Sequence, residues 1–142
     1  MDSVADVLEH KGLRVLTIAL DASVQDAVEL MCGERVGALL VCDGNRPVGT
    51  FTERDLLSRV VRQRRDPTQT LVRDMMTPDV VCVTPETLVR EAMAVMTERR
   101  CRHLPVVAEG RIIGLVSIGD LIRHSSREAE FEIRMLRDYL SH

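Results

Sequence analysis

The chain has 142 residues, 45% of them hydrophobic and 29% charged, with a formal net charge of −3. That is the composition of an ordinary globular protein, one domain or two small ones sharing a core. It speaks against a nucleic-acid binder, which needs a basic surface to displace counterions, and aromatic residues at 2% offer no platform for stacking bases.

In chain order, the first predicted element is a short apolar strand, Leu13 to Leu20. A helix follows, with Ser23 as its N-cap and Asp26 completing a capping box. Val24, Ala27, Val28 and Met31 recur at three- and four-residue spacing and form its apolar face. Two short strands come next, Ala38 to Cys42 and Val48 to Phe51, joined by a turn at Asp43-Gly44-Asn45. A second helix begins near Thr52. It ends in the basic run Arg59, Arg62, Arg64, Arg65, which reads as a solvated helix end. Arg62 to Leu71 is polar, contains Asp66-Pro67 and reads as a linker.

The same order then recurs. A strand is expected at Val80 to Val83, and a helix capped by Thr87 carries Val89, Ala92, Met93 and Met96 on one face. Strands Leu104 to Val107 and Ile112 to Val116 flank a turn at Glu109-Gly110, and another helix starts near Ser117. The tail, Ser125 to Leu140, reads as a separate helix that Ser125-x-x-Glu128 can cap. Phe131, Met135 and Tyr139 form a stripe on it.

A shift of 65 residues lays one half on the other without a gap from Leu16 through Leu57. Met31 then meets Met96, Arg35 meets Arg100, Gly49 meets Gly114 and Asp55 meets Asp120. Val4-Ala5-Asp6 resembles Val72-Arg73-Asp74 only at a shift of 68, so the first copy carries about three extra residues near His10-Lys11-Gly12. Chance alignment of two amphipathic segments would match apolar with apolar, not glycine with glycine and aspartate with aspartate. The chain is a tandem repeat of β-α-β-β-α units, of mixed α/β (α+β) class, with an added C-terminal helix. The expected organisation is one domain at 1–62, a linker at 63–71, a second domain at 72–124 and the C-terminal helix at 125–142. A repeat of this size has little core of its own. Two copies packed sheet to sheet about a pseudo-two-fold axis would bury a shared face and leave clefts between the copies for a ligand.

Both copies carry Gly-x-x-Ser/Thr-x-x-Asp: Gly49, Thr52, Asp55 and Gly114, Ser117, Asp120. The hydroxyl sits where a helix begins, beside free amides that suit a phosphate. An aspartate one turn on can accept from both hydroxyls of a ribose. The plainer reading is that Thr52 and Ser117 cap their helices and the aspartates complement the dipole.

Together with Val72-Arg73-Asp74-Met75-Met76-Thr77-Pro78 and Arg102-His103-Leu104-Pro105-Val106, this element resembles the CBS domain family, over almost the whole chain. The first copy departs from the family pattern, with Asp6-Val7-Leu8-Glu9 in place of the Met-Met-Thr-Pro opening and no proline in Leu39-Leu40-Val41. The resemblance implies a paired regulatory module that takes AMP above all, or ADP, ATP, NAD or S-adenosylmethionine. It implies that Asp55 and Asp120 hold ribose, that Thr52, Ser117, Arg54, Arg102 and His103 meet ribose or phosphate, and that Thr17, Ile18, Cys82 and Val83 line the adenine slot. Arg54 has Gly119 as its counterpart, and Arg102-His103 have Gly37-Ala38, so the two copies carry positive charge on different elements.

The resemblance also implies a homodimer. Its alternative function is an interaction or redox-regulatory adaptor for a thioredoxin-type protein, with little nucleotide binding. No nucleophile-base set, metalloprotease motif or phosphate-binding loop appears, so no enzyme and no required cofactor are expected. Cys32, Cys42, Cys82 and Cys101 form no CxxC pair and read as small buried hydrophobes in a reducing compartment, with no metal site. No apolar run approaches the roughly 20 residues that span a bilayer. Met1-Asp2-Ser3-Val4 lacks a signal-peptide pattern, so the expected location is the cytoplasm.

Overall fold

The computed structural model describes residues 2–12, 15–78 and 80–140. The chain folds into two compact units that do not follow the sequence repeat: a central unit, Arg14–Cys82, and a terminal unit, Met1–Leu13 with Val83–His142. Each copy's opening segment therefore belongs to the unit built mainly from the other copy. The expected domain boundaries mark the sequence repeat, and the spatial units cross them.

In the central unit, β1 (Thr17–Ala19) runs parallel to β2 (Ala38–Asp43), which pairs antiparallel with β3 (Arg46–Thr52). The expected strand from Leu13 is thus shorter, and Leu13 itself lies outside the described residues. Helix α2 (Val24–Glu34) connects β1 to β2, and Ser23 caps it as expected, its hydroxyl accepting from the Asp26 amide at 3.0 Å. After β3 comes one turn, α3 (Glu53–Asp55), which continues as a π-helix, Leu56–Val61. The short helix α4 (Val72–Met75) and strand β4 (Thr77–Pro78) follow the linker. β4 adds to β3, with Gly49 opposite Pro78 and Thr50 opposite Thr77. Val72 and Met75 enter the same core as Val24, Ala27, Met31, Leu39, Val41, Phe51 and Val60. Gly49 is small because of this seam: a β-carbon there would lie 2.6 Å from the Thr77 carbonyl oxygen.

In the terminal unit, α1 (Val4–Lys11) precedes α5 (Val89–Arg99), the antiparallel pair β5 (His103–Ala108) and β6 (Arg111–Ser117), and α6 (Ile118–Leu140). Val4, Val7 and Leu8 of α1 are buried, and a β-carbon at Gly114 would meet the Leu8 side chain at 2.7 Å. The strand expected at Val80 to Val83 reduces to one parallel bridge from Val83 to Val106. The N-cap of α5 is Leu88, with Glu91 accepting from its amide at 3.0 Å. Thr87 instead spends its hydroxyl on the Thr84 amide at 3.1 Å. Ser125 starts no helix: it lies inside α6, which runs unbroken from Ile118 to Leu140. Arg35 and Arg100, 65 residues apart, both take left-handed C-cap conformations at φ 56° and 54°, the duplication written in the backbone.

Of the cysteines, only Cys42 is buried; Cys32 and Cys82 are exposed and Cys101 is intermediate. Cys32 follows Met31 just off the buried face of α2, and Cys82 precedes the lone bridging residue Val83.

Candidate functional site

Each Gly-x-x-Ser/Thr-x-x-Asp element forms a corner where an edge of a β-pair becomes a helix. In the central unit the Asp55 amide donates to Thr52 Oγ1 at 3.3 Å, and Asp55 Oδ2 accepts from the Thr52 amide at 3.0 Å and its hydroxyl at 3.1 Å. In the terminal unit the Asp120 amide donates to Ser117 Oγ at 3.1 Å, and Asp120 Oδ2 accepts from the Ser117 amide at 2.8 Å. Both corners are therefore reciprocal caps, as the plainer reading of these residues holds.

The remaining lone pairs distinguish them. Thr77 Oγ1 donates to Asp55 Oδ1 at 2.9 Å, and Arg59 stands 3.8 Å away while donating to the Met76 carbonyl at 2.8 Å. Lys11 Nζ lies 2.6 Å from Asp120 Oδ2 and also donates to the Leu115 carbonyl, while Arg123 donates to Asp120 Oδ1 at 2.7 Å. Each aspartate is thus met by the opening segment of the other sequence copy, by Thr77 in one unit and Lys11 in the other. Motif reasoning assigned none of Lys11, Arg59, Thr77 and Arg123 to the site. The signals were present: Lys11 sits in the extra residues of the first copy, Thr77 in Met-Met-Thr-Pro, and each arginine one turn after its aspartate.

The terminal corner is the more strongly cationic. His103 pairs with Ser117 across the β5–β6 ladder, and the Arg102 carbonyl accepts from the Ile118 amide at 2.9 Å, so Arg102, His103, Ser117 and Asp120 come together. A surface pocket beside them is lined by His10, Lys11, Asp120, Arg123 and Arg127 among others. Burial works against charge on Asp120, but hydrogen bonds from Lys11 and the Ser117 amide outweigh it and hold the carboxyl below its usual value. Burial, then the charge of Lys11, pushes the His103 imidazole below its usual value. Asp120 opposes that shift and Arg102 adds to it.

The other expected site residues are more dispersed. Thr17 is exposed on β1 opposite Leu40, while Ile18 packs on the central core. Arg54 is exposed on α3, and Cys82 is exposed at the end of the central unit. Val83 is buried and spends its amide and carbonyl on β5, at 2.9 Å each. Arg54 belongs to the central unit, Arg102 and His103 to the terminal one.

Two copies of one capped strand-to-helix corner, each closed by the other copy's opening segment, define a duplicated module of the regulatory class rather than a single-copy domain. The CBS domain model matches residues 4–62 and 72–127, and the chain belongs to that family. It is 38% identical to the mitochondrial CBS domain-containing protein CBSX3 of Arabidopsis thaliana, over 97% of this chain and 71% of that one. Other curated plant relatives are far longer, and the chain spans 19% to 22% of their length. Among solved structures it is similar to a putative signal-transduction protein with CBS domains from Burkholderia ambifaria: 43% identity, TM-score 0.81, over 87% of this chain and 93% of that one. It is also similar to a hexameric CBS-CP12 protein from bloom-forming cyanobacteria: 26% identity, TM-score 0.80, over 97% and 84%. Among the described residues, no helix is long and apolar enough to cross a membrane.

Proposed function

We propose that the chain is a non-catalytic regulatory module that binds an adenosine-containing ligand, AMP first and ADP, ATP, NAD or S-adenosylmethionine after it. The terminal corner is the stronger site. The observation that supports this is Asp120: a carboxylate held ionised at a helix start, with Lys11, Arg123 and a cationic pocket beside it. Its Oδ1 faces one donor, Arg123, and retains a lone pair for a ribose hydroxyl. Lys11 and Arg127 then offer charge to a phosphate. Asp55 is 5% exposed and its Oδ1 meets a neutral hydroxyl, Thr77, with Arg59 held 3.8 Å off, so the central corner brings less positive charge and is the weaker binder. The module acts as a homodimer in the cytoplasm.

Thermal unfolding against the five ligands tests this, with wild type beside Asp55→Ala and Asp120→Ala. A ligand at about 100 times its dissociation constant adds on the order of 2.7 kcal/mol to the native state. A shift with one ligand, lost in Asp120→Ala and kept in Asp55→Ala, is the expected result. No shift with any ligand removes the sensor reading.

A second reading, an adaptor for a thioredoxin-type or other protein partner, is favoured by one observation. Phe131, Met135 and Tyr139 on α6 are 58%, 54% and 79% exposed, an apolar stripe of the kind that marks a protein contact. Capture of a partner, unchanged by both aspartate variants, would support it.

A further inference from the structure

We propose that the terminal unit holds a divalent first-row transition-metal ion on Asp2, His124 and Glu128. His124 lines the same pocket as His10, Lys11 and Asp120, but holding an ion there requires no nucleotide. His124 and Glu128 are four residues apart on α6 and so share one face of the helix. Asp2 is brought to that face by the start of α1. Its carbonyl accepts from the Val89 amide at 3.0 Å, and the next residues are tied in by a bridge from Ser3 to Leu88 and a 2.8 Å bond from the Val4 amide to the Thr87 carbonyl. One donor atom from each of the three side chains lies within 4.8 Å of the others.

The state of His124 is the second observation. It is 8% exposed, its Nε2 contacts the Asp2 carboxylate, and its buried Nδ1 has no hydrogen-bond partner among the described residues. Buried polar atoms are almost always paired, and Nδ1 is the imidazole nitrogen still open to an ion, Nε2 being engaged by Asp2. Nearby charges are mixed, Asp6 among them and Lys11, Arg123 and Arg127 in the same pocket as His124. Asp6 lies close enough for His124 to bear on its charge, although its carboxylate is taken by Ser3. The nearby Lys11 and Arg123 are both tied to Asp120. The His10 ring sits 5.8 Å from that of His124 and is a candidate fourth donor. Imidazole with two carboxylates suits zinc and its neighbours rather than calcium or magnesium, which take oxygen alone.

The test is calorimetric titration of the metal-free, full-length chain with zinc chloride under a non-chelating reductant, paired with the absorption spectrum of the cobalt-loaded protein. One zinc per chain is expected, with affinity at least about tenfold weaker in Asp2→Asn, His124→Gln and Glu128→Gln. Asp2 and Glu128 are half-buried, so their variants report binding even where His124→Gln fails to fold. The cobalt spectrum should lack a thiolate charge-transfer band. Absence of zinc binding in wild type, unchanged affinity in Asp2→Asn and Glu128→Gln, or a thiolate band from Cys32 or Cys82 would each overturn the assignment.

Discussion

Asp55 and Asp120 hold one position in the repeat and meet different chemistry, a hydroxyl from Thr77 in one unit and an ammonium from Lys11 in the other. The consequence for Asp120 is a pH signature. A carboxyl whose folded value is depressed contributes stability above its unfolded value, here 3.8, and that contribution is lost as pH falls through the lower folded value. Asp120→Asn should therefore be less stable than wild type at pH 7 by about 1 kcal/mol, for the lost cap and ion pair. Urea unfolding should show the gap closing in acid well below 3.8. His103 shifts the same way and, being a base, gives an effect nearer neutrality. Its folded value is lowered from 6.5, so the unfolded chain takes the proton first, and stability should fall as pH drops below 6.5. His103→Leu should flatten that part of the urea-midpoint profile; an unchanged slope would show that His103 titrates as a free group. The two motif glycines also divide by partner. Gly49→Ala drives a methyl against a backbone carbonyl, which cannot yield, and should cost about 2 kcal/mol. Gly114→Ala meets the tip of Leu8, which can rotate, and should cost less.

At the scale of elements, the exchange of opening segments makes α1 part of a unit whose other residues begin at Val83. Leu8 is 3% exposed there. Leu8→Ala should remove about 3 kcal/mol from the terminal unit. Hydrogen exchange should quicken at the amides of β5, β6 and α5 while the central β2–β3 pair holds; equal loosening of both would contradict the division. This exchange was not legible in the sequence, although the 65-residue repeat was. Asp55 with Asp120 announces the duplication because a helix start demands it locally, whereas Gly49 and Gly114 answer to Thr77 and Leu8, far along the chain. Which core receives Val72 or Leu8 depends on contacts far apart along the chain, which no local pattern records. The same gap explains the site. Thr52–Asp55 and Ser117–Asp120 could be read from spacing, whereas Lys11 and Thr77 reach the aspartates only through that exchange. Ser125 misled for the opposite reason: its local capping preference is real but yields to a helix that is already under way from Ile118.

For the whole molecule the open question is what meets the outer half of α6. The helix has 23 residues, and from Phe131 onward every described one is exposed, including Ile133, Leu136 and Leu140 beside the stripe. At 1.5 Å per residue it is about 34 Å long. Its last two turns bury nothing among the described residues, yet they carry enough apolar surface to be marginal alone in water. A second copy presenting the same stripe would satisfy both helices at once, the self-complementary arrangement of a two-fold dimer. Changing Phe131 and Met135 together to glutamate should then halve the mass seen by light scattering at micromolar concentration. The same pair should leave the central unit's unfolding midpoint in place, because both residues belong to the terminal unit. Full retention of the wild-type mass would take the stripe out of self-association and leave it to a different protein. A dimer lost together with the central unit's stability would instead mean that α6 supports the fold.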